Sequence, residues 1–288
     1  MSTPKTWFIT GASSGFGHAL AQAVLERGDR AAVTARRTET LEELAAPYGD
    51  RALALTLDVT DDAARRGALA QATGTFGRID VLANIAGTGA FGPLEGFTSQ
   101  QIRDLLELDF FAPAELAREV LPQMREQGSG HILNLTSIAG LVSFPGNGLY
   151  SSAKFALDAF SEALHHEVKP FGVDVTTIEP GAFRTGFAGS AAMRAEKDLP
   201  AYAELVRATD EYFEDQDGQQ LGDPAKAAQV IMDVVDSPEP PVRLLLGKDA
   251  YDLWDSAVES RRKDTEPWRA RSEATAFPDG KENTIQAP

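Results

Sequence analysis

The amino-acid sequence predicts an α/β fold: one doubly wound domain in which a seven-stranded parallel sheet carries helices on both faces. Short apolar runs recur along the 288 residues, as expected of strands buried on both faces of a parallel sheet. Amphipathic stretches separate most of these runs and have room for one helix each, so parallel crossovers are feasible. Glycine and proline are spread along the chain rather than gathered into a linker, and no internal repeat is found. Residues 1–288 are therefore interpreted as a single domain.

The predicted strands and helices alternate from the first residues onward. The strand candidates are Trp7–Thr10, Arg30–Ala35, Ala52–Leu57, Val81–Ala83, His131–Leu135, Val173–Ile178 and Val242–Leu246. Helices are expected over Gly15–Arg27, Leu41–Tyr48, Asp62–Thr73, Ser99–Gln127, Tyr150–Val168 and Asp223–Asp236. The last helix has Asp223 as its N-cap and Pro224 at its first position.

Two regions break this alternation. Residues 182–221 form a connection too long for a simple loop, and such segments are usually functional or disordered. Apolar side chains favour a substrate lid here, although a surface helical insertion without substrate contact is the alternative. These side chains are Phe183, Phe187, Met193, Leu199, Tyr202, Leu205, Tyr212 and Phe213. Residues 248–288 form a polar C-terminal extension, with Trp254 and Trp268 as possible anchors.

Composition and charge argue against several classes of partner. The net charge of −16 would repel a nucleic-acid backbone or an anionic membrane surface. With no cysteine and four scattered histidines, neither a disulfide nor a metal site is expected. No secretory signal and no apolar run of membrane-spanning length is found, so a cytoplasmic location is expected.

A glycine-rich turn, Thr10–Gly17, stands where the first strand ends and the first helix begins. Glycine lets the backbone approach a pyrophosphate, and the helix N-terminus offers unpaired N–H groups and a positive dipole end. In the first βα unit of a Rossmann-type domain such a turn binds a dinucleotide. Its spacing is G-x3-G-x-G rather than G-x-G-x-x-G, and an ordinary tight turn is the alternative. The predicted cofactor contacts are Gly11, Ser13, Ser14, Gly15, Phe16 and Gly17.

The end of the second strand predicts which dinucleotide is bound. An acidic residue there usually accepts hydrogen bonds from the ribose of NAD, whereas the 2′-phosphate of NADP needs positive charge. Here the strand is followed by Arg36 and Arg37, and a guanidinium can bind phosphate in bidentate fashion. NADP(H) is therefore predicted over NAD(H), with solvated surface arginines as the alternative. Asp58 and Val59 follow the third strand, at a place suited to contact the adenine.

Ser137, Tyr150 and Lys154 form a candidate catalytic group. Tyr150 and Lys154 are four residues apart, so on a helix they share one face and can meet the same ligand. The adjacent ammonium is expected to lower the pKa of the phenol and thereby to improve it as a base. Ser137 lies at the carboxyl end of the fifth strand, where open α/β sheets bind ligands, and its hydroxyl could hydrogen-bond a substrate oxygen.

The sequence resembles the short-chain dehydrogenase/reductase family up to about Lys248, and its steroid- and retinol-dehydrogenase-like branch in particular. The motifs behind this resemblance are T-G-x-x-x-G-x-G at Thr10–Gly17, a variant of N-N-A-G at Asn84–Gly87, Y-x-x-x-K at Tyr150–Lys154 and P-G-x-x-x-T at Pro180–Thr185. The resemblance implies that Tyr150 is the general acid/base, that Ser137 orients the carbonyl, and that Lys154 binds the nicotinamide ribose. Further cofactor contacts implied in this way are Asn84, Ala86, Gly87, Pro180, Gly181, Phe183 and Thr185.

Two positions depart from the family pattern. Ile85 replaces the second asparagine of N-N-A-G, which removes an amide. Asp109 stands where the family commonly has the asparagine that holds a water in the proton relay. A carboxylate could still accept hydrogen bonds from that water, but its charge would alter the surroundings of Lys154. Asp109 is therefore included among the candidate catalytic residues.

The predicted function is hydride transfer between NADP(H) and an apolar ketone, aldehyde or secondary alcohol. Leu141, Val142, Phe144 and the aromatic side chains of the lid are expected to line an apolar pocket. One alternative is a catalytically impaired NADP(H)-binding regulatory protein, which only Asp109 favours. Another is a nucleotide-sugar epimerase or dehydratase, whose usual G-x-x-G-x-x-G turn and larger C-terminal domain are not seen. The resemblance also implies a homodimer or homotetramer formed through the two long helices.

Overall fold

The computed structural model describes residues 4–187, 192–277 and 279–281. Residues 188–191 of the predicted lid, and 278 and 282–288 of the C-terminal extension, lie outside the described part. The strands are β1 (Thr6–Ile9), β2 (Arg30–Ala35), β3 (Ala52–Thr56), β4 (Val81–Asn84), β5 (Ala90–Phe91), β6 (Gly130–Leu135), β7 (Val173–Pro180), β8 (Met193–Arg194) and β9 (Arg243–Leu246). The helices are α1 (Gly15–Arg27), α2 (Glu39–Ala45), α3 (Asp62–Phe76), α4 (Ser99–Leu106), α5 (Ala112–Gln127), α6 (Gly148–Val168), α7 (Ala203–Gln216), α8 (Pro224–Asp236), α9 (Lys248–Thr265) and α10 (Arg269–Glu273).

Seven strands form one parallel sheet in the order β3-β2-β1-β4-β6-β7-β9. Consecutive residues of β1 enter two separate cores. Trp7 and Ile9 pack with α1 and α8, and Phe8 packs on the opposite face with α3 and α5. The predicted doubly wound sheet with helices on both faces is thereby confirmed. The strand order reverses between β1 and β4, which is where open α/β sheets bind their ligands.

The helix expected over Ser99–Gln127 is interrupted. A π-helical turn over Glu107–Phe111 separates α4 from α5. Pro113, in the first turn of α5, has no N–H to donate to the carbonyl oxygen four residues earlier, which is that of Asp109. Within this turn the side chain of Asp109 is completely buried. The last predicted helix, by contrast, begins as expected, with the Asp223 carboxylate accepting the N–H of Ala225.

The predicted lid contains α7 and β8, and β8 pairs in parallel with β5 of the segment that follows β4. The N–H of Met193 donates to the carbonyl oxygen of Gly89 (2.8 Å), and that of Ala195 donates to Phe91 (3.1 Å). These bonds fasten the lid to the segment that follows β4.

The polar C-terminal extension contains a helix, α9, that the sequence did not predict. Its Ala250 is fully buried and packs with Ile138 just beyond β6. Trp254 also packs there, as one expected anchor, whereas Trp268 is 60% exposed. The first turns of α9 therefore pack against the domain core, whereas Trp268 does not.

A buried carboxyl, Glu179, lies near the carboxyl end of β7. Its Oε1 accepts a hydrogen bond from Thr177 Oγ1 (2.8 Å) and lies 3.8 Å from Arg243 Nε. The same guanidinium binds Asp158 (2.8 Å) and Glu162 (2.7 Å) on α6. Burial raises the pKa of Glu179 to about 8, and the negative charge of Asp158 adds to this effect. One guanidinium therefore faces three carboxyl groups, and burial favours the protonated form of Glu179, the buried one.

We predict that Glu179→Gln removes a loss of stability at alkaline pH. The folded-state pKa of Glu179 exceeds the unfolded value of about 4.3, so the folded state binds the extra proton between these values and stability falls as pH rises through that window. At pH above about 8 the amide should raise the free energy of unfolding by roughly 1–3 kcal/mol, with little difference near pH 5. Urea unfolding across this range measures the effect.

Glu162→Gln is the matched control, because it removes a carboxylate from the same guanidinium but one whose pKa is lowered. It should be neutral or slightly destabilising at alkaline pH. Parallel pH–stability curves for the native chain and Glu179→Gln would contradict the protonated state of Glu179.

Candidate functional site

The carboxyl ends of β1 and β4 are packed tightly at the reversal of strand order. The hydroxyl oxygen of Thr10 accepts hydrogen bonds from the N–H groups of Ile85 (2.9 Å) and Ala86 (3.0 Å). Gly11 has φ +68°, and a Cβ there would lie 2.9 Å from the Cα of Ala86. This position therefore needs glycine both for its backbone conformation and for the close approach of the two chain segments.

The glycine-rich turn leads into α1 with its first N–H groups uncapped by a side chain. Ser14 is the N-cap residue, and it makes no side-chain capping hydrogen bond. A Cβ on Gly17 would overlap the carbonyl oxygen of Gly11, so glycine is required for the helix to begin this close to the turn. An uncapped helix N-terminus beside exposed backbone can bind an anion such as a pyrophosphate. The turn therefore fits the phosphate end of a dinucleotide, with Ser13 half-buried and Ser14 exposed beside it.

The segment after β7 lies across this turn. The rings of Phe16 and Phe183 contact each other, with centroids 4.9 Å apart. A Cβ on Gly15 would lie 3.3 Å from the side chain of Thr185. The structure thus brings together two motifs that are separated by more than 160 residues in the sequence.

Arg36 and Arg37 are exposed directly after β2, and Asp58 is exposed after the neighbouring β3. The Asp58 carboxylate accepts hydrogen bonds from the N–H (3.0 Å) and hydroxyl (2.7 Å) of Thr60. These bonds, and the positive charge of Arg36, lower the pKa of Asp58. Val59 is buried beside it. The ends of β2 and β3 therefore present two exposed guanidinium groups, those of Arg36 and Arg37, next to the Asp58 carboxylate.

Tyr150 and Lys154 lie one turn apart on α6, and both side chains are buried. Lys154 Nζ lies 5.6 Å from the centroid of the Tyr150 ring. Ser137, just beyond β6, is close enough to the Tyr150 side chain to lower its pKa by hydrogen bonding, and its Oγ accepts the N–H of Ala139 (3.0 Å). The three side chains predicted as a catalytic group thus converge at one point.

The Lys154 ammonium has two close oxygen partners. It donates to the carbonyl oxygen of Leu135 (3.0 Å) and lies 3.2 Å from Oδ2 of Asp109. The other carboxylate oxygen of Asp109 accepts the N–H of Thr88 (3.0 Å). A Cβ on Gly87 would lie 3.3 Å from both the carboxylate and the ammonium, so the chain after β4 borders this ion pair directly.

The pKa of Tyr150 is shifted in the direction opposite to the expected one. Burial raises it well above the ordinary phenol value, the negative charge of Asp109 raises it further, and only the hydrogen bond with Ser137 lowers it. Lys154 does not dominate the pKa of Tyr150, because its positive charge is offset by the Asp109 carboxylate 3.2 Å away. Burial also raises the pKa of Asp109, against the opposing effect of Lys154.

The Asn84 side chain is buried and hydrogen-bonded to neighbouring elements. Its Nδ2 donates to Asn134 Oδ1 (2.9 Å) and to the carbonyl oxygen of Pro113 (3.1 Å). The amide of Asn134 donates in turn to Ser161 on α6 (2.8 Å). This buried network joins β4 and β6 to the two long helices, so the Asn84 side chain is engaged in packing, whereas Ala86 and Gly87 border the turn and the ion pair.

The lid places aromatic rings beside Tyr150. The ring of Phe187 lies 5.2 Å from that of Tyr150 and 6.0 Å from that of Phe91. Phe213, on α7, lies 4.3 Å from Phe91. Tyr212, another predicted lid residue, is 57% exposed. Apolar contacts to the phenol thus come from the lid and from the segment after β4.

The loop after β6 contributes differently from the sequence expectation. Leu141 is buried against Ile138 and Ala250, and Val142 packs with the same group. Phe144 lines a separate surface cavity of about 420 Å³ together with Leu94. The expectation that these three side chains jointly line one apolar pocket is therefore wrong, because α9 covers the first two.

Sequence reasoning missed Asp249, in the first turn of α9. Its Oδ2 accepts the N–H of Ala182 (2.6 Å), and its carboxylate occupies the space that a Cβ on Gly181 would need. The N–H of Gly181 donates to the carbonyl oxygen of Leu246 (2.9 Å). Asp249 therefore fixes the segment that begins at Pro180. The only sequence signal was an acidic residue two positions after Gly247 in a region that reads as polar.

Comparison with known proteins agrees with this geometry. A model of the short chain dehydrogenase family matches residues 5–196. "Oxidoreductase BOA17" of Botryotinia fuckeliana is 37% identical over 273 residues, covering 94% of this chain and 99% of that protein. "Retinol dehydrogenase 8" of Homo sapiens is 31% identical over 258 residues, covering 84% of this chain and 81% of that protein. The chain therefore belongs to the short-chain dehydrogenase/reductase family, and it is an oxidoreductase of that family.

Solved structures support the same assignment. The crystal structure of a short-chain dehydrogenase from Streptomyces avermitilis is 46% identical and superposes with a TM-score of 0.89, covering 96% of this chain and 100% of that one. More distant structures of this fold hold NADP in some cases and NAD in others. Within the described residues, no helix combines the length and apolar character needed to cross a membrane.

We predict that Gly17→Ala weakens dinucleotide binding while leaving the sheet intact. The added methyl group would overlap the Gly11 carbonyl and so displace the turn at the start of α1. Gly67→Ala, in the middle of α3, is the matched control because a Cβ there meets no atom within 4 Å. It should preserve binding and stabilise the helix by about 0.5–1 kcal/mol. Calorimetric titration with NADPH should show at least ~10-fold weaker binding for Gly17→Ala alone. Equal affinities of both variants would contradict the role of the turn.

Proposed function

We propose that this chain is an NADP(H)-dependent oxidoreductase that interconverts an apolar ketone or aldehyde and the corresponding secondary or primary alcohol, with Tyr150 as general acid/base. The observation that carries the proposal is the meeting of Tyr150, Ser137 and Lys154 beside the glycine-rich turn. Ser137 follows β6, Tyr150 and Lys154 lie on α6 and the glycine-rich turn follows β1, and the meeting of these three elements near the reversal of strand order supports a shared chemical task.

The cofactor, when bound, would supply or accept hydride at the reacting carbon. In the reductive direction the hydroxyl of Tyr150 donates its proton to the carbonyl oxygen, which gives the alcohol and leaves a phenolate for solvent to reprotonate. The Ser137 hydroxyl hydrogen-bonds the same oxygen and holds it near the phenol. Lys154 lies on the side of Tyr150 toward Gly87, where it would bind the ribose of the nicotinamide.

The preference for NADP(H) rests on the exposed arginines at the end of β2. Arg36 and Arg37 are not committed to any salt bridge among the described residues, and Arg36 lies near enough to Asp58 to lower its pKa. A 2′-phosphate would add two or more acceptor oxygens to this cationic pair. Gly11, Ser13, Ser14, Gly15, Phe16 and Gly17 would cradle the phosphates, and Asp58 and Val59 would border the adenine.

The substrate class follows from the surroundings of Tyr150. Phe187 lies beside the phenol and Phe91 packs against Phe187, and neither ring carries a polar atom that could bind a charged substrate. An apolar carbonyl compound or alcohol fits these surroundings best. The relative named as a retinol dehydrogenase is consistent with this class. We further propose that the enzyme is cytoplasmic and that it assembles as a homodimer or homotetramer through α5 and α6.

One observation favours a second candidate, an NADP(H)-binding regulatory protein without turnover. Asp109 neutralises Lys154, and Phe187 contacts the ring of Tyr150, so the proton-transfer group is shielded. Tight NADPH binding without consumption across a broad panel of aldehydes and ketones would support this candidate and exclude the enzyme.

We predict that Tyr150→Phe abolishes NADPH consumption on that panel, with a fall of roughly 10²–10⁴-fold in kcat, because the proton donor is lost. Tyr212→Phe, which removes an exposed phenol from the lid, is the control and should retain native turnover. NADPH affinity of both variants is measured in parallel. Turnover retained in Tyr150→Phe would refute the assignment of the general acid/base.

We predict that Arg36→Ala weakens NADPH binding by roughly 10–100-fold and leaves NADH binding unchanged, since a charge-assisted phosphate contact is worth about 1.5–3 kcal/mol. Arg118→Ala, an exposed arginine on α5, is the control for the change in net charge. Equal losses for both cofactors, or no loss for either, would remove the basis for the NADP(H) preference.

A further inference from the structure

Asp109 forms a buried ion pair with the lysine of the candidate catalytic group. The carboxylate has no solvent exposure, and the Lys154 side chain is 5% exposed. Two charges removed from water need close and well-oriented partners. Oδ1 of Asp109 accepts the Thr88 N–H, whereas Oδ2 makes no hydrogen bond within the described part of the chain and has the Lys154 ammonium, 3.2 Å away, as its ion-pair partner. Lys154 also donates to the Leu135 carbonyl oxygen. The pair is thus built into the fold by the π turn, β6 and α6.

The pair changes the electrostatics of its neighbour Tyr150. An isolated ammonium one helical turn away would favour the phenolate, but a carboxylate 3.2 Å from that ammonium largely cancels its field. Burial raises the pKa of Tyr150, and the negative charge of Asp109 raises it further, so both disfavour the phenolate. The group that acts on Asp109 is Lys154. The hydroxyl of Ser137, the remaining polar side chain at the phenol, carries no charge.

We propose that Asp109 is a positioning residue that neutralises the charge of Lys154 and thereby keeps the Tyr150 hydroxyl protonated at neutral and mildly alkaline pH. This inference rests on the proposed function, since it concerns the acid form of the same general acid/base. The proton donor for carbonyl reduction is then always in place at neutral pH. Alcohol oxidation, in which the phenolate accepts the hydroxyl proton while the alcohol carbon loses hydride to the oxidised cofactor, reaches its plateau only at strongly alkaline pH.

The decisive variant is Asp109→Asn, which keeps the size of the side chain and an oxygen for the Thr88 N–H but removes the charge. It leaves Lys154 as an uncancelled cation beside Tyr150. We expect the inflections in the pH profiles of kcat/KM, for both reduction and oxidation, to move at least about one pH unit toward acid. Asp104→Asn, at an exposed position on α4, is the matched control and should leave both profiles in place.

A second measurement needs no turnover and no Asp109 variant. The phenolate absorbance of the native chain is titrated with pH, and the titration of Tyr150→Phe is subtracted to isolate Tyr150. We expect no phenolate from Tyr150 below about pH 10, the ordinary phenol value. If Asp109→Asn folds, its difference titration should lie at lower pH than that of the native chain.

The possible outcomes separate this inference from the proposed function. An unshifted profile in Asp109→Asn, or a native Tyr150 that ionises near pH 7–8, would overturn the inference while leaving Tyr150 as the acid/base. Turnover that survives Tyr150→Phe would instead overturn the proposed function. A shifted profile together with a late native titration supports the role of Asp109 even if Asp109→Asn is less stable than the native chain.

Discussion

A buried ammonium has to be paired, and the candidate site is organised around the pairing of Lys154. Its partners are the carbonyl oxygen of Leu135 at the end of β6 and the carboxylate of Asp109 in the π turn. Removing either charge alone would leave the other uncompensated away from water, which is costly. The end of β6, the start of α5 and the first turns of α6 are therefore held in a fixed relation. The same relation brings Ser137 and Tyr150 together, so that the electrostatic requirement of one residue sets the geometry of the others.

The strands and most of the helices could be predicted because their signals are local. A strand buried on both faces, such as β1 with Trp7, Phe8 and Ile9, must be apolar at every position, and that run is visible without any tertiary information. The start of α8 was visible for a similar reason, since Asp223 and Pro224 determine a helix N-terminus within two residues. The π turn over Glu107–Phe111 could not be predicted from the sequence. The effect of Pro113 on the helix depends on where the preceding turn can place the Asp109 carboxylate, and this is determined by tertiary packing.

The proximity of Tyr150 and Lys154 in the candidate site could be predicted from the sequence, but the pKa shift of Tyr150 could not. Local spacing put Tyr150 and Lys154 on one face of a helix, but the field at the phenol depends on burial and on Asp109, which is 41 residues earlier in the sequence. The same limit explains Asn84 and Asp249. Each is a polar residue whose partners, Pro113 in one case and Ala182 in the other, are brought close only by tertiary packing. Sequence reasoning named Asn84 without its packing role and missed Asp249 altogether.

Helix α9 shows why the candidate site depends on residues beyond the glycine-rich turn and the other sequence motifs. Asp249 holds the backbone at Ala182, Ala250 packs under the loop that follows Ser137, and the Arg261 guanidinium binds the carbonyl oxygen of Leu141. These three contacts reach both the segment that borders the glycine-rich turn and the loop that carries Ser137. A single helix thus couples the position of the segment after β7 to that of the loop that carries Ser137. Because hydride and proton must reach adjacent atoms of one carbonyl group, this coupling is a geometric requirement of the proposed reaction rather than an addition to it.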